Sequence, residues 1–218
     1  MTILVDLDDT MEQLLKAWVR RVNEKFGRNV SLEEITDWNV AAPYPGLTRE
    51  QVYGVTYEKG FWESVEPMPG AAEALKHLME EDHEVFIVTA TEIEHVEEKM
   101  KGLLFRYFPF ISWNQVIITS RKQMIRGDVL IDDGIHNLEG GAYRKILFTA
   151  PHNRFFDAEG HGMTRVTTWE EAVKIIDSGS LAGAEAADPG SDREKKMSLG
   201  CGAGAEAADP DKDGEGKR

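Results

Sequence analysis

The chain has a single cysteine, Cys201, so no intrachain disulfide can form and a reducing compartment is expected. No apolar run approaches the roughly 18 residues of a membrane-spanning helix, and no basic segment followed by an apolar stretch opens the sequence. Positive charge is also scarce. Twenty-five Lys and Arg against 39 Asp and Glu leave a net charge of −14, which argues against an electrostatic nucleic-acid or membrane-surface binder. An anionic substrate would need a local lysine or metal ion to overcome that field. Composition therefore points to a soluble, cytoplasmic protein with a small-molecule ligand. Large apolar residues nearly vanish after residue 178, where Gly-Ala-Glu-Ala-Ala-Asp-Pro occurs twice, at 183–189 and 204–210. Residues 179–218 are expected to be a disordered low-complexity tail, because they hold too little apolar surface to offset the entropy of ordering.

What is present begins with Ile3-Leu4-Val5, a short apolar run that leads straight into Asp6, Asp8 and Asp9. Such a run reads as a buried strand, with the carboxylates at its C-terminal end. Further strands are expected at Val85–Val88 ending in Thr89, Val116–Ile118 ending in Thr119-Ser120, Val129–Ile131 ending in Asp132-Asp133, and Lys145–Phe148. Amphipathic spacing predicts helices over Met11–Phe26, Ala71–Glu81, Thr91 to about Tyr107, and Thr168 to about Asp177. The segment Arg121–Arg126 reads as helical too. Ser31-x-x-Glu34 and Thr48-x-x-Gln51 match the capping-box pattern and open two short helices. The fold class is thus α/β, a doubly wound parallel sheet, with a small helical cap inserted after the first strand. Residues 1–10 and 67–178 form the core, and 11–66 the cap.

A parallel sheet puts the C-terminal ends of its strands on one edge, where ligands bind. Asp6, Asp8, Thr89, Lys122, Asp132 and Asp133 then share a crevice. Each alone has a bland reading as a turn, a strand residue or a solvated helix position. Together they suit phosphoryl transfer. Asp6 would attack phosphorus, and Asp8 would protonate the leaving oxygen and later deprotonate water. Mg2+ held by the carboxylates would neutralise charge, while Thr89 and Lys122 would bind phosphate oxygens. Spacing does not choose between Asp132 and Asp133 as metal ligand.

The ordered series Asp6-Leu-Asp8-Asp-Thr10, Thr89, Lys122 and Asp132-Asp133 resembles the motif set of the haloacid dehalogenase superfamily of phosphatases. Three longer stretches are similar to the 5′(3′)-deoxyribonucleotidase family: Gly60-Phe-Trp-Glu-Ser-Val-Glu-Pro-Met-Pro-Gly70, Lys122-(x)5-Asp128-Val-Leu-Ile-Asp-Asp133, and Ile146-Leu-Phe-Thr-Ala-Pro-His-Asn-Arg154. The resemblance covers about residues 2–178. It implies hydrolysis of deoxynucleoside monophosphates, usually with a pyrimidine base, through an aspartyl-phosphate. It also implies Mg2+ held by Asp6, the Asp8 backbone carbonyl and Asp133, with Asp132 behind them. Trp38, Tyr44, Tyr57, Phe61 and Trp62 of the cap become candidates to stack on the base, worth about 1–3 kcal/mol per base; packing between cap and core is the competing reading.

The sequence departs from the family at Leu14, where an aromatic is common, at Asp9, where Gly is usual, and at Ala90, where a Ser hydroxyl is common. Asp9 is expected to be a loop residue without a chemical role, and His152-Asn-Arg154 a structural turn. The alternatives are a phosphatase for another small phosphomonoester, a receiver-like phosphoacceptor domain, and an idle nucleotide binder. A homodimer is allowed by the sequence but not specified by it.

Overall fold

The apolar run before Asp6 forms β1 (Thr2–Val5), which lies inside a six-stranded parallel sheet. The computed structural model describes residues 1–179. In chain order, β1 leads to α1 (Leu14–Phe26), α2 (Arg49–Tyr53), α3 (Ala71–Glu80), β2 (Glu84–Thr89), α4 (Val96–Glu98) and α5 (Phe105–Tyr107). Then follow β3 (Val116–Ile118), β4 (Val129–Asp132), α6 (Ile135–Leu138), β5 (Arg144–Phe148), β6 (Thr164–Val166) and α7 (Trp169–Asp177). The sheet order is β3-β2-β1-β4-β5-β6. The chain winds outward to β3 on one side of β1, then crosses over to β4 and winds outward on the other. The strand order therefore reverses at β1, where Val5 is paired with both Ile87 and Ile131. A doubly wound sheet opens its ligand crevice at such a switch point.

Alternation along the strands sends side chains to two buried faces. Ile3, Val5, Val85, Ile87, Val129 and Ile131 pack with Leu75, Leu78, Phe108 and Trp169 on one side. Leu4, Val88, Leu130 and Leu147 pack with Leu138, Tyr143 and Met163 on the other. Both faces are covered, so the strands read as continuous apolar runs. The segment between β1 and α3 has a hydrophobic cluster of its own, including Leu15, Val19, Val22, Tyr44, Val52, Phe61 and Trp62, joined by Leu103 from the segment between α4 and α5. Among the described residues, no helix is long and apolar enough to cross a membrane.

Several local expectations are corrected. The first helix begins at Leu14, not Met11, because Glu12 forms bridge contacts with Asp8 and Pro67 that hold the chain extended. It ends at Gly27, whose φ of +61° suits a residue without Cβ. The Ser31 and Thr48 capping boxes are present. The helix expected from Thr91 does not start there: a 3-10 turn begins at Ile93, and Lys99–Leu104 widens into a π-helix before α5. Residues 121–126 contain only one 3-10 turn, Lys122–Met124. β6 was absent from the sequence expectation. The expected disordered tail lies, apart from Gly179, outside the described residues.

Candidate active site

Asp6 leaves the end of β1 with its backbone N–H donating to Ile131 O at 2.9 Å, which anchors the carboxylate beside β4. Lys122, on the turn after β3, is buried, and its Nζ donates to Asp6 Oδ1 and, at 2.7 Å, to Asp132 Oδ2. The other Asp132 oxygen accepts Gly134 N at 2.7 Å and Asn137 Nδ2 at 3.0 Å. A Cβ at Gly134 would lie 2.6 Å from Asn137 Nδ2 and 2.8 Å from Asp132 Oδ1, so a larger residue there would displace these side chains. Asp133 is held differently. Its backbone carbonyl accepts Asn153 Nδ2 at 2.9 Å, and its Oδ2 lies 3.0 Å from His152 Nε2. Arg165 in turn donates to Asn153 Oδ1 and O, both at 3.1 Å. The expected structural turn at residues 152–154 overlaps a 3-10 turn, Pro151–Asn153, whose last residue holds the Asp133 backbone.

Two residues beyond Asp6, Asp8 Oδ2 receives Lys99 Nζ at 2.5 Å. The same ammonium donates to Thr89 Oγ1 at 3.2 Å and lies 5.1 Å from the Trp62 ring centroid. Each of the two acids therefore has its own buried lysine. Lys99 had no sequence signal as a site residue: among Glu94, Glu97, Glu98 and Lys101 it reads as one more solvated helix charge. The π-helix carries it inward, to 1% exposure.

Burial pushes the Asp6 carboxyl well above the usual range; Lys122 opposes the shift, and Asp132, Asp133 and Asp8 add to it. Asp133 is raised by burial and then by Asp132. Asp8 goes the other way: burial alone would raise it, but Lys99 and a hydrogen bond from Glu12 hold it low. Glu12, wholly buried, is pushed well up by burial and by Asp8. Among the described residues, Asp8 Oδ1 and both Glu12 oxygens have no hydrogen-bond donor. Asp9 has a backbone φ of +51°, the left-handed region that favours glycine. Its Oδ1 accepts Leu15 N at 2.9 Å, so it caps the first turn of α1, and burial raises its pKa to about 7. Asp9 is thus a loop residue, as expected, with a structural hydrogen bond to the helix that follows.

Six carboxyl groups thus crowd around two ammonium groups, an arrangement that favours a bound cation. Asp6, Asp132 and Asp133 each offer an oxygen within 4.8 Å of the others, and an all-oxygen set suits a hard divalent ion. Both Asp132 oxygens are already engaged, whereas Asp133 is freer to ligate.

Cavities open from this edge. One of about 230 Å³ is lined by Asp6, Asp8, Ala90, Ser120, Lys122 and Asp133, with Trp38 at its border. Another, of about 290 Å³, runs from Asp8 and Lys99 past Leu14, Trp18, Tyr53, Tyr57 and Trp62. A third, of about 180 Å³, lies between Asp9, Trp38 and His152. Trp38 is half exposed and packs on His152, with ring centroids 4.0 Å apart. The Tyr57 hydroxyl donates to Glu92. Tyr44 and Phe61 are buried within the insert's own cluster and line none of these cavities; Phe61 meets Trp62 edge-on at 5.3 Å. Thr89 is buried, and its hydroxyl oxygen accepts from Lys99. Trp18 and Tyr53, which no sequence motif singles out, line the larger cavity.

A family model described as 5′ nucleotidase, deoxy (pyrimidine), cytosolic type C protein matches residues 1–182. A 5′(3′)-deoxyribonucleotidase of Bacillus subtilis is 33% identical over 176 residues, covering 80% of this chain and 97% of its own. One from Clostridium acetobutylicum is 30% identical over 177 residues, covering 81% and 95%. Among solved structures, an HAD family hydrolase from Deinococcus radiodurans with bound phosphate and sodium has a TM-score of 0.55 at 17% identity. That alignment covers 84% of this chain and 98% of the other, and it speaks to the fold alone.

Proposed function

The chain belongs to the family of cytosolic type C deoxy (pyrimidine) 5′ nucleotidases, phosphomonoester hydrolases, and from that premise we propose that it hydrolyses deoxyribonucleoside monophosphates through an aspartyl-phosphate. The observation that carries the reading is the pair Asp6 and Asp8, two residues apart, each with its own buried lysine, Lys122 and Lys99. Paired acids in different environments suit different jobs.

In this reading the Asp6 carboxylate attacks phosphorus, and the bond to the leaving nucleoside oxygen breaks as Asp8 gives that oxygen a proton. Water then attacks the phosphoryl group, Asp8 takes the water's proton, and Asp6 is released with inorganic phosphate. Lys122 and Thr89 bind non-bridging oxygens. Lys99 holds Asp8 ionised in the free protein, and an incoming phosphate competes for its ammonium, which frees Asp8 to take up a proton. Asp6, Asp133 and the Asp8 backbone carbonyl would hold Mg2+, which when bound neutralises phosphate charge and aligns the reacting oxygens. Asp132 positions Lys122 from behind.

The helical insert acts as a cap that closes over the leaving nucleoside. Trp38, Tyr57 and Trp62 face its cavities, and Phe61 supports Trp62 from the interior. The lone cysteine fits a reducing compartment, and we place the enzyme in the cytoplasm. The test is Asp6→Asn: turnover disappears while the circular dichroism spectrum and unfolding midpoint stay near wild type. Retained turnover would remove Asp6 from the nucleophile role.

A further inference from the structure

His95 has no part in the chemistry above, yet it is a buried polar group on the wall of the larger cavity. The residue is 8% exposed, and its ring packs between Tyr57, at a centroid distance of 4.2 Å, and Trp62, at 5.3 Å. The Trp62 indole nitrogen lies 3.3 Å from His95 Nδ1. An indole N–H only donates. His95 Nδ1 must therefore accept, which puts the ring hydrogen on Nε2. Among the described residues no acceptor pairs with that nitrogen, and it is not among the sealed polar atoms, so it meets the cavity that the ring lines.

This cavity is continuous with the chemistry. It shares Asp8 and Ala90 with the space around Asp6 and Lys122, so a phosphate there would direct its leaving group past Asp8. Beyond Asp8 the walls include Trp18, Tyr53, Tyr57 and Trp62, which suit a flat ring. A directed donor on such a wall favours a ligand that supplies an acceptor and disfavours one that leaves it unmade.

We propose that His95 is a specificity-determining residue that donates its Nε2–H to a carbonyl oxygen of the nucleotide base, with Trp62 setting the tautomer and Tyr57 the ring plane. The inference rests on the nucleotidase reading and adds a base contact to it. It also accounts for part of the base recognition that Leu14 cannot provide by stacking.

The test compares kcat and KM for dUMP and for 2-deoxyribose 5-phosphate, which keeps the sugar hydroxyl and phosphate but has no base. In His95→Phe, the ratio of the two kcat/KM values falls on the order of tenfold, through a higher KM for dUMP with kcat little changed. His95→Gln keeps an acceptor for Trp62 and an N–H donor, and returns the ratio toward wild type. An equal loss on both substrates, or a His95→Phe ratio equal to wild type, would overturn the inference and leave the nucleotidase reading standing. A wild-type enzyme that does not prefer dUMP over 2-deoxyribose 5-phosphate would overturn both.

Discussion

Lys99 Nζ lies 2.5 Å from Asp8 Oδ2, ten residues along the chain from the Thr89 hydroxyl that it also touches. The ammonium is buried, so its charge acts on Asp8 and on any phosphate nearby with little screening by water. Lys99→Met is expected to lower kcat/KM by about 100-fold or more, the scale of losing a charged group aimed at a transition-state oxygen. Steady-state phosphate release checks it, and a loss below about threefold would assign Lys99 to packing alone.

Asp132 and Asp133 are adjacent but differently engaged. Asp132 spends its oxygens on Lys122, Gly134 N and Asn137, while Asp133 faces the cavity beside Asp6. Asp133→Asn should raise the Mg2+ concentration for half-maximal activity by at least about tenfold. Asp132→Asn should instead lower kcat at saturating Mg2+, because Lys122 loses its support. Titration of activity with Mg2+ separates the two; the reverse pattern would exchange their roles.

Phe61 and Trp38 should part company in stability and binding. Phe61 is fully buried in the insert, so Phe61→Ala should destabilise by about 3–5 kcal/mol in urea unfolding. Trp38, 50% exposed at the cavity border, should cost less than about 1 kcal/mol on truncation but raise KM for a nucleotide. A Trp38→Ala enzyme with unchanged KM would place Trp38 outside the substrate site.

His77 on α3 meets Asp177 on α7 at 3.0 Å, and that hydrogen bond raises the imidazole pKa. A raised histidine pKa in the folded state means that the stabilisation is complete below the unfolded value of about 6.5 and is lost as pH rises through the folded value. NMR titration should find His77 above the ordinary histidine midpoint, and Asp177→Asn should bring it down. A midpoint unmoved by that substitution would contradict the pairing.

The central strands were legible because strands buried on both faces of a parallel sheet are written as short, continuous apolar runs. β6 was not: Thr164-Arg165-Val166 is an edge strand in which only Val166 is buried, so it carries no such run. Asp6, Asp8, Thr89, Lys122 and Asp133 were legible because they follow strand ends, which topology brings together. Lys99 and Glu12 were hidden, since their inward turn depends on the π-helix and on the bridge to Pro67. The structural role of Asp9, a hydrogen bond to Leu15 six residues on, has no short pattern to announce it. The insert's aromatics were legible as a set but not one by one. Residue type alone does not say that Phe61 points into the cluster while Trp62 reaches His95.

The most direct measurement of the central claim is phosphate release by the purified protein from dUMP, dTMP and a panel of sugar phosphates, with Mg2+ and with excess chelator. The account predicts fast, Mg2+-dependent release from the two deoxynucleotides and at least about tenfold lower kcat/KM on the sugar phosphates. Equal or faster release from the sugar phosphates would contradict the nucleotidase assignment. Full activity in chelator would contradict the metal site.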